Sequence, residues 1–376
     1  MKMKSYVIST GSTTINGRDM VKDSAGVLHC VYSKYYNTRY NIYHGWSADG
    51  GKTWQEEQVT FDPRTGGHNN INPAIDVDSN DNLHVVWKYC DISASVGTTI
   101  KYAKYDGTSW TITSPLLYTA YSIGYATIAI DGNNHIHVTC NGSIDITGNG
   151  QILYMVFDGS SWSGELYLTT DTTKQQFDPT IAIGASNSVH ITWIGQYDAG
   201  GNYAIRYITC VSGTWGSVVN LDITSGFNPV IDWPCIALDS SGNVYVVYTL
   251  FNGVNRNVWL AKRISGTWST SQVSPNPISG TVDYRNPTIA VDTSNAIHII
   301  FQDGQSGSGS GTLYYMSYKA GWSALLHLTT DYSNNALLRW SARNVPTKPQ
   351  WTWAYGTLYF AEFASAQSNA VWFQLI

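Results

Sequence analysis

The segments NPAIDVDSNDNLHVVW (72–87), DPTIAIGASNSVHITW (178–193), WPCIALDSSGNVYVVY (233–248) and NPTIAVDTSNAIHIIF (286–301) are copies of one unit. YATIAIDGNNHIHVTC (125–140) and GRDMVKDSAGVLHCVY (17–32) are weaker copies. No other feature constrains the fold as much, because every copy must make the same local structure and bury the same faces against its neighbours. The His or Tyr that marks each copy falls at His29, His84, His137, His190, Tyr245, His298 and, in a degraded seventh copy, Tyr359; successive intervals are 55, 53, 53, 55, 53 and 61 residues.

A period of this length holds four short strands. PAIDVD (73–78) alternates, with Ile75 and Val77 on one face and Ala74 and Asp76 on the other. SNDN turns the chain and LHVVW returns it. A third strand runs up to a recurring Trp (Trp54, Trp110, Trp162, Trp215, Trp268, Trp322), and a short fourth strand follows. Seven such units predict an all-β fold, a seven-bladed β-propeller of four-stranded antiparallel blades. Only NAVWFQLI (369–376) follows the Tyr359 strand, so the last blade lacks its outer strand, whereas KSYVIST (4–10) is left over at the front. Pairing of these two segments closes the ring and covers its edges, which makes residues 1–376 a single domain.

The composition fits many turns between aromatic-rich strands: 34 Gly, 26 Tyr, 15 Trp and only 12% charged residues. A net charge of -5 with no basic run gives no electrostatic case for a nucleic-acid partner. No segment has the apolar length of a membrane span, and the first twenty residues have no signal-peptide core. Cys30, Cys90, Cys140, Cys210 and Cys235 lack metal-like spacing and read as free, mostly buried thiols. A marker histidine repeated in nearly every blade serves a need that every blade shares. Where Asp78, Asp131, Asp239 or Asp292 stands six residues earlier, the marker is expected to pair with groups of that turn. No metal or cofactor is expected.

Ser47-x-Asp49-x-Gly51-x-Thr53-Trp54 resembles the Asp-box, or BNR, repeat of sialidase-like propellers. The later copies keep only Asp-Gly and Trp, or Gly and Trp. The resemblance implies a structural turn between the third and fourth strands, in which the Ser and Asp side chains bind backbone amides.

Ligand groups are expected instead at the entrances of the inner strands, among residues that break the repeat. Arg18, Arg285 and Arg339 are three of nine arginines and fall in blades one, six and seven, neighbours in a closed ring. Together they suit a carboxylate, sulfate or phosphate; pairing of each with a local Asp, such as Asp19 or Asp283, is the alternative. The long loop TFDPRTGGHNNINP (60–73) adds Arg64 and His68. Tyr125, Trp233 and Trp340 offer flat faces to a sugar ring, and Asp178 and Asp232 complete the set of ligand-binding candidates.

Sialidase chemistry, implied by the resemblance, needs a Tyr–Glu pair, and the four glutamates (Glu56, Glu57, Glu165, Glu362) lie away from the strand entrances. The chain also loosely resembles seven-bladed propeller polysaccharide lyases, which implies His68 and Tyr125 as base and acid and Arg285 or Arg18 as neutraliser. The favoured expectation is a non-catalytic propeller that binds an anionic glycan or a surface protein, extracellular or on a virion surface. The lyase is the alternative, and a glycoside hydrolase stands behind both.

Overall fold

The computed structural model describes residues 5–9, 13–14, 20–36, 38–61, 68–91, 99–118, 123–143, 148–222, 228–229, 234–251, 253–275, 283–304, 313–327, 359–364 and 370–375. These residues form antiparallel strands and one short 3-10 turn, Ala185–Asn187. Six sheets of four or five strands follow one another along the chain, as a propeller requires. The second sheet sets the pattern: His68–Val77 is innermost, followed outward by Leu83–Asp91, Thr99–Tyr105 and Trp110–Tyr118. The inner strands of the third, fourth, fifth and sixth sheets are Ile123–Ile130, Gln176–Ile183, Cys235–Leu238 and Asp283–Val291. Each packs against the inner strand before it.

Both faces of a sheet are therefore buried, and the alternation in each strand assigns residues to neighbours rather than to core and solvent. Ile75, Val85 and Trp87 pack with Val31 and Ile42 of the first sheet. Ala74, Val86 and Ile100 pack with Ile128, Val138 and Leu153 of the third. Asp76 faces this second interface at 1% exposure and stitches it, because its carboxylate accepts the amide of Ile130 at 2.7 Å. The Trp column also acts between sheets. Trp162, Trp215 and Trp268 meet Tyr102, Tyr154 and Tyr207 of the preceding sheet edge-on, at 5.4, 4.9 and 5.0 Å.

Ser5–Ser9 pairs antiparallel with Ala370–Leu375, which in turn pairs with Tyr359–Ala364. Ile8 packs beside Met20, Leu28, Cys30, Tyr32 and Tyr43 of the first sheet. The five cysteines are free thiols; burial pushes Cys140 up to about 12.

Near their starts the inner strands of the second, third, fourth and sixth sheets carry a bulge, with register shifts at Ile71/Ala74, Ile123/Ala126, Phe177/Thr180 and Arg285/Thr288. In three of these Asn72, Asp178 and Asn286 hold φ of 56°, 53° and 49°, a left-handed conformation that Asn and Asp accept more readily than other non-glycine residues. Bulges re-aim the side chains before them, so this end of the sheets, the entrance end, is where side chains leave the repeat.

Candidate functional site

The Asp-box is a turn held by its own side chains. Asp49 accepts the amides of Lys52 and Thr53 at 2.9 Å and the Thr53 hydroxyl at 2.7 Å, while Ser47 Oγ accepts the Gly51 amide at 2.8 Å. Thr53's backbone and hydroxyl donors hold the Asp49 carboxyl down at about 2. Trp54 closes the turn by donating to the Gly51 carbonyl at 3.0 Å.

The marker histidines are committed in the same way. His84 Nδ1 meets the Tyr102 hydroxyl at 2.7 Å and its Nε2 meets Asp78 at 3.2 Å; His298 repeats this with Tyr315 and Asp292 at 2.7 and 3.1 Å. His137 pairs with Tyr154 at 2.6 Å and lies 3.5 Å from Asp131. In the fifth sheet Tyr245 reaches Asp239 directly at 2.9 Å. These rings fasten strand to turn, as expected from the Asp six residues earlier. Among the described residues no three metal-ligand side chains converge.

His68 is different. It opens the inner strand of the second sheet, its ring lies 4.8 Å from that of Tyr89 with 12° between planes, and its buried Nδ1 has no hydrogen-bond partner among the described residues. Lys101 Nζ stands 4.0 Å from the centre of the same Tyr89 ring. Beneath this group Trp87 donates to Asn70 Oδ1 at 2.7 Å, and Tyr40 of the first sheet donates its amide to Asn69 at 3.0 Å. Two sheets therefore fix the strand that presents His68. Lys88, on the opposite face of the second sheet, is partly buried, and desolvation lowers its pKa.

Tyr125 lies, partly buried, in the bulge of the neighbouring inner strand. Gly124 beside it gives room to Asn141, whose Oδ1 would stand only 2.1 Å from an added Cβ. In the fourth sheet Asp178 is 9% exposed within its bulge, so a backbone need accounts for the Asp there as well as a ligand would. Two residues earlier Gln176 Oε1 accepts from Trp193 at 2.8 Å and from Arg206 at 3.0 Å.

In the sixth sheet Arg285 donates to Asp283 at 2.7 Å, the local pairing weighed as the alternative to anion binding. The same carboxylate oxygen receives Arg256 of the fifth sheet at 2.8 Å, and the other oxygen receives the Arg256 amide at 2.8 Å. Burial works against the Asp283 carboxylate, but these donors, Arg285 foremost, hold its pKa below the ordinary range. Both arginines keep a buried Nε with no hydrogen-bond partner among the described residues.

Arg18, Arg64, Asp232, Trp233, Arg339 and Trp340 lie outside the described residues, so the convergence expected of Arg18, Arg285 and Arg339 rests on the sequence alone. Sequence reasoning missed Tyr89, Lys101 and Arg256. Lys101 and Arg256 each stand near the start of a third strand, a position that reaches the entrance end as directly as an inner strand does. It also passed over Glu56, which accepts from Ser9 Oγ, Tyr32 OH and Lys34 Nζ at 2.7, 2.6 and 2.5 Å. This Tyr–Glu pair is no nucleophile: Tyr32 is fully buried, and desolvation with the adjacent carboxylate raises its pKa.

No protein-family model and no curated protein matches the sequence. Solved structures do match the fold. A polysaccharide lyase described as an ulvan lyase superposes with a TM-score of 0.64 at 11% identity, over 98% of this chain and 95% of its own. An α-L-arabinofuranosidase of Fusarium graminearum, solved with arabinobiose, gives 0.56 at 13%, over 84% and 98%. A Hadza microbial sialidase gives 0.55 at 14%, over 80% and 68%. The chain thus has the fold of β-propellers that act on glycans.

Proposed function

We propose that the chain is a polysaccharide lyase, a seven-bladed ring that cleaves an acidic glycan by elimination at the entrance end of its second and third sheets. In this reading Ser5–Ser9, Ala370–Leu375 and Tyr359–Ala364 belong to the seventh blade. The observation that carries the proposal is His68, an imidazole outside the structural column, stacked on Tyr89 with an unpartnered Nδ1. The lyases among the structural neighbours support it through nearly full-length similarity of fold.

The His68 imidazole takes the proton from the carbon next to the uronate carboxylate. The electron pair forms a carbon–carbon double bond, the bond to the glycosidic oxygen breaks, and Tyr125 gives that oxygen its proton. Negative charge grows on the carboxylate during proton removal, and a nearby cation lowers the barrier. Arg285 or Arg18 was expected to supply it, but Arg285 stands four sheets further along the chain. Lys101, on the same tyrosine as His68, fits the task better.

Hydrolysis by paired carboxylates is less well supported. Asp283 is committed to two arginines, Asp222 accepts the Tyr248 hydroxyl at 2.9 Å, and Asp303 accepts Tyr314 at 2.7 Å. Glycan binding without cleavage keeps one specific support, the exposed aromatics Tyr35, Tyr36 and Phe61 at 48, 54 and 75%. An acidic polysaccharide is met outside the cell, where we place the protein. Incubation with uronate polysaccharides, followed by ultraviolet absorbance of an unsaturated product, tests the proposal. A rise in reducing ends without absorbance points to hydrolysis, and neither signal points to binding alone.

A further inference from the structure

The Arg256–Asp283–Arg285 group has a composition that structural need does not account for. One carboxylate neutralises one guanidinium. Here a single carboxylate oxygen takes both, at 2.8 and 2.7 Å, and leaves a local surplus of one positive charge. Each arginine side chain is about one-fifth exposed, at 21 and 22%, so the group is neither sealed inside nor freely solvated. Arg256 is steadied by the ring of Phe251, 5.8 Å from its guanidinium carbon. The two buried Nε atoms mark donors for which the described residues supply no acceptor.

The position matters as much as the charge. Asp283 and Arg256 are the first residues of their strands, and Arg285 precedes the bulge of its inner strand, so all three stand at the entrance end. The inner strands pack in chain order, and the third, fourth and fifth sheets separate His68 from Arg285. His68 and Arg285 therefore stand at different places along the row of strand entrances.

We infer that Arg256 and Arg285 form a second anion subsite, which holds the acid group of a sugar further along the same glycan while His68 acts on another. The inference rests on the acidic-glycan reading and deepens it, because it requires a polymer with acid groups at more than one unit. Guanidinium donors fit a carboxylate or a sulfate ester through the same paired hydrogen bonds. Asp283 orients the two arginines and competes with the ligand for them.

Binding measured by calorimetry in the His68→Ala chain, where turnover does not interfere, tests the inference. The probes are oligomers of glucuronate, galacturonate and mannuronate, a sulfated galactan oligomer, and a cello-oligosaccharide as neutral control. Arg256→Gln and Arg285→Gln are each expected to weaken binding of at least one anionic probe by about tenfold, the loss of one charge-assisted contact. Binding of the cello-oligosaccharide stays the same. The probe that loses affinity separates carboxylate from sulfate. Asp283→Asn is expected to tighten anion binding by removing the competitor, whereas a merely structural triad would lose binding with its carboxylate. The inference is overturned if no anionic probe binds, if the arginine variants bind like their parent, or if charged and neutral probes weaken alike. Absence of unsaturated product from the wild-type chain sinks the lyase reading alone and leaves this binding result standing.

Discussion

His68 and Tyr89 lie face to face, 4.8 Å apart and within 12° of parallel, at the end of the second sheet where the inner strand begins. The stack fixes the plane of the imidazole without engaging its nitrogens, unlike the hydrogen bonds that occupy His84 or His298. His68→Ala is therefore expected to lower turnover of a uronate polysaccharide by about 10²- to 10⁴-fold, the usual contribution of a general base. Its melting temperature and its affinity for the intact polymer are expected to stay near wild type. The same substitution at His84 is expected to unfold the chain at lower temperature, because it removes the partner of the buried Tyr102 hydroxyl and one of the bonds that hold Asp78 in its turn.

Glu56 ties the N-terminal strand to the first sheet through Ser9 while accepting the buried Tyr32 hydroxyl. Glu56→Ala removes the carboxylate that accepts from that buried hydroxyl, at a cost of about 1–3 kcal/mol. Amide exchange at Ser5–Ser9 should quicken more than exchange in the second to sixth sheets. Uniform quickening would show that the strand is not held locally by Glu56.

Asp49 bonds to Ser47, Lys52 and Thr53 within its own turn, at the opposite end of the first sheet from the strand entrances. Asp49→Ala is expected to lower the melting temperature by a few degrees and to leave glycan cleavage unchanged. A loss of cleavage at an unchanged melting temperature would move function to the Asp-box.

His190 and His44 are buried as neutral rings, and burial lowers the pKa of both, that of His190 to about 4 from a reference of 6.5. The unfolded chain takes up these protons first as pH falls. Stability is therefore full above pH 6.5 and declines between 6.5 and about 4, by about 3 kcal/mol for His190. Denaturant unfolding from pH 7 to 4 should follow this slope, and His190→Gln should flatten it. An unchanged slope in the variant would assign the loss to other groups.

The sequence disclosed the repeat because its supports are local. The His84–Asp78 bond spans six residues, and the Asp-box spans eight. Even the substitution of Tyr for His at 245 follows a physical rule: Tyr245 reaches Asp239 unaided, and Leu260 stands where the second, third, fourth and sixth sheets supply a tyrosine and the first supplies His44. The candidate site was less legible, since its contacts join residues far apart in the chain. Arg256 meets Asp283 across two sheets, 27 positions away, and only the fold brings Lys101 over Tyr89. Asp178 illustrates the opposite difficulty. An acidic residue at a strand entrance reads as a ligand, although a bulge with φ of 53° gives the same residue type a backbone purpose.

The most direct measurement is ultraviolet absorbance during incubation of the wild-type chain and His68→Ala with a panel of uronate polysaccharides, run beside a reducing-end assay. Elimination at His68 predicts that absorbance and reducing ends rise together for at least one acidic polymer with the wild type and that both collapse in the variant. Reducing ends that rise without absorbance, or an absorbance that His68→Ala leaves intact, would contradict it.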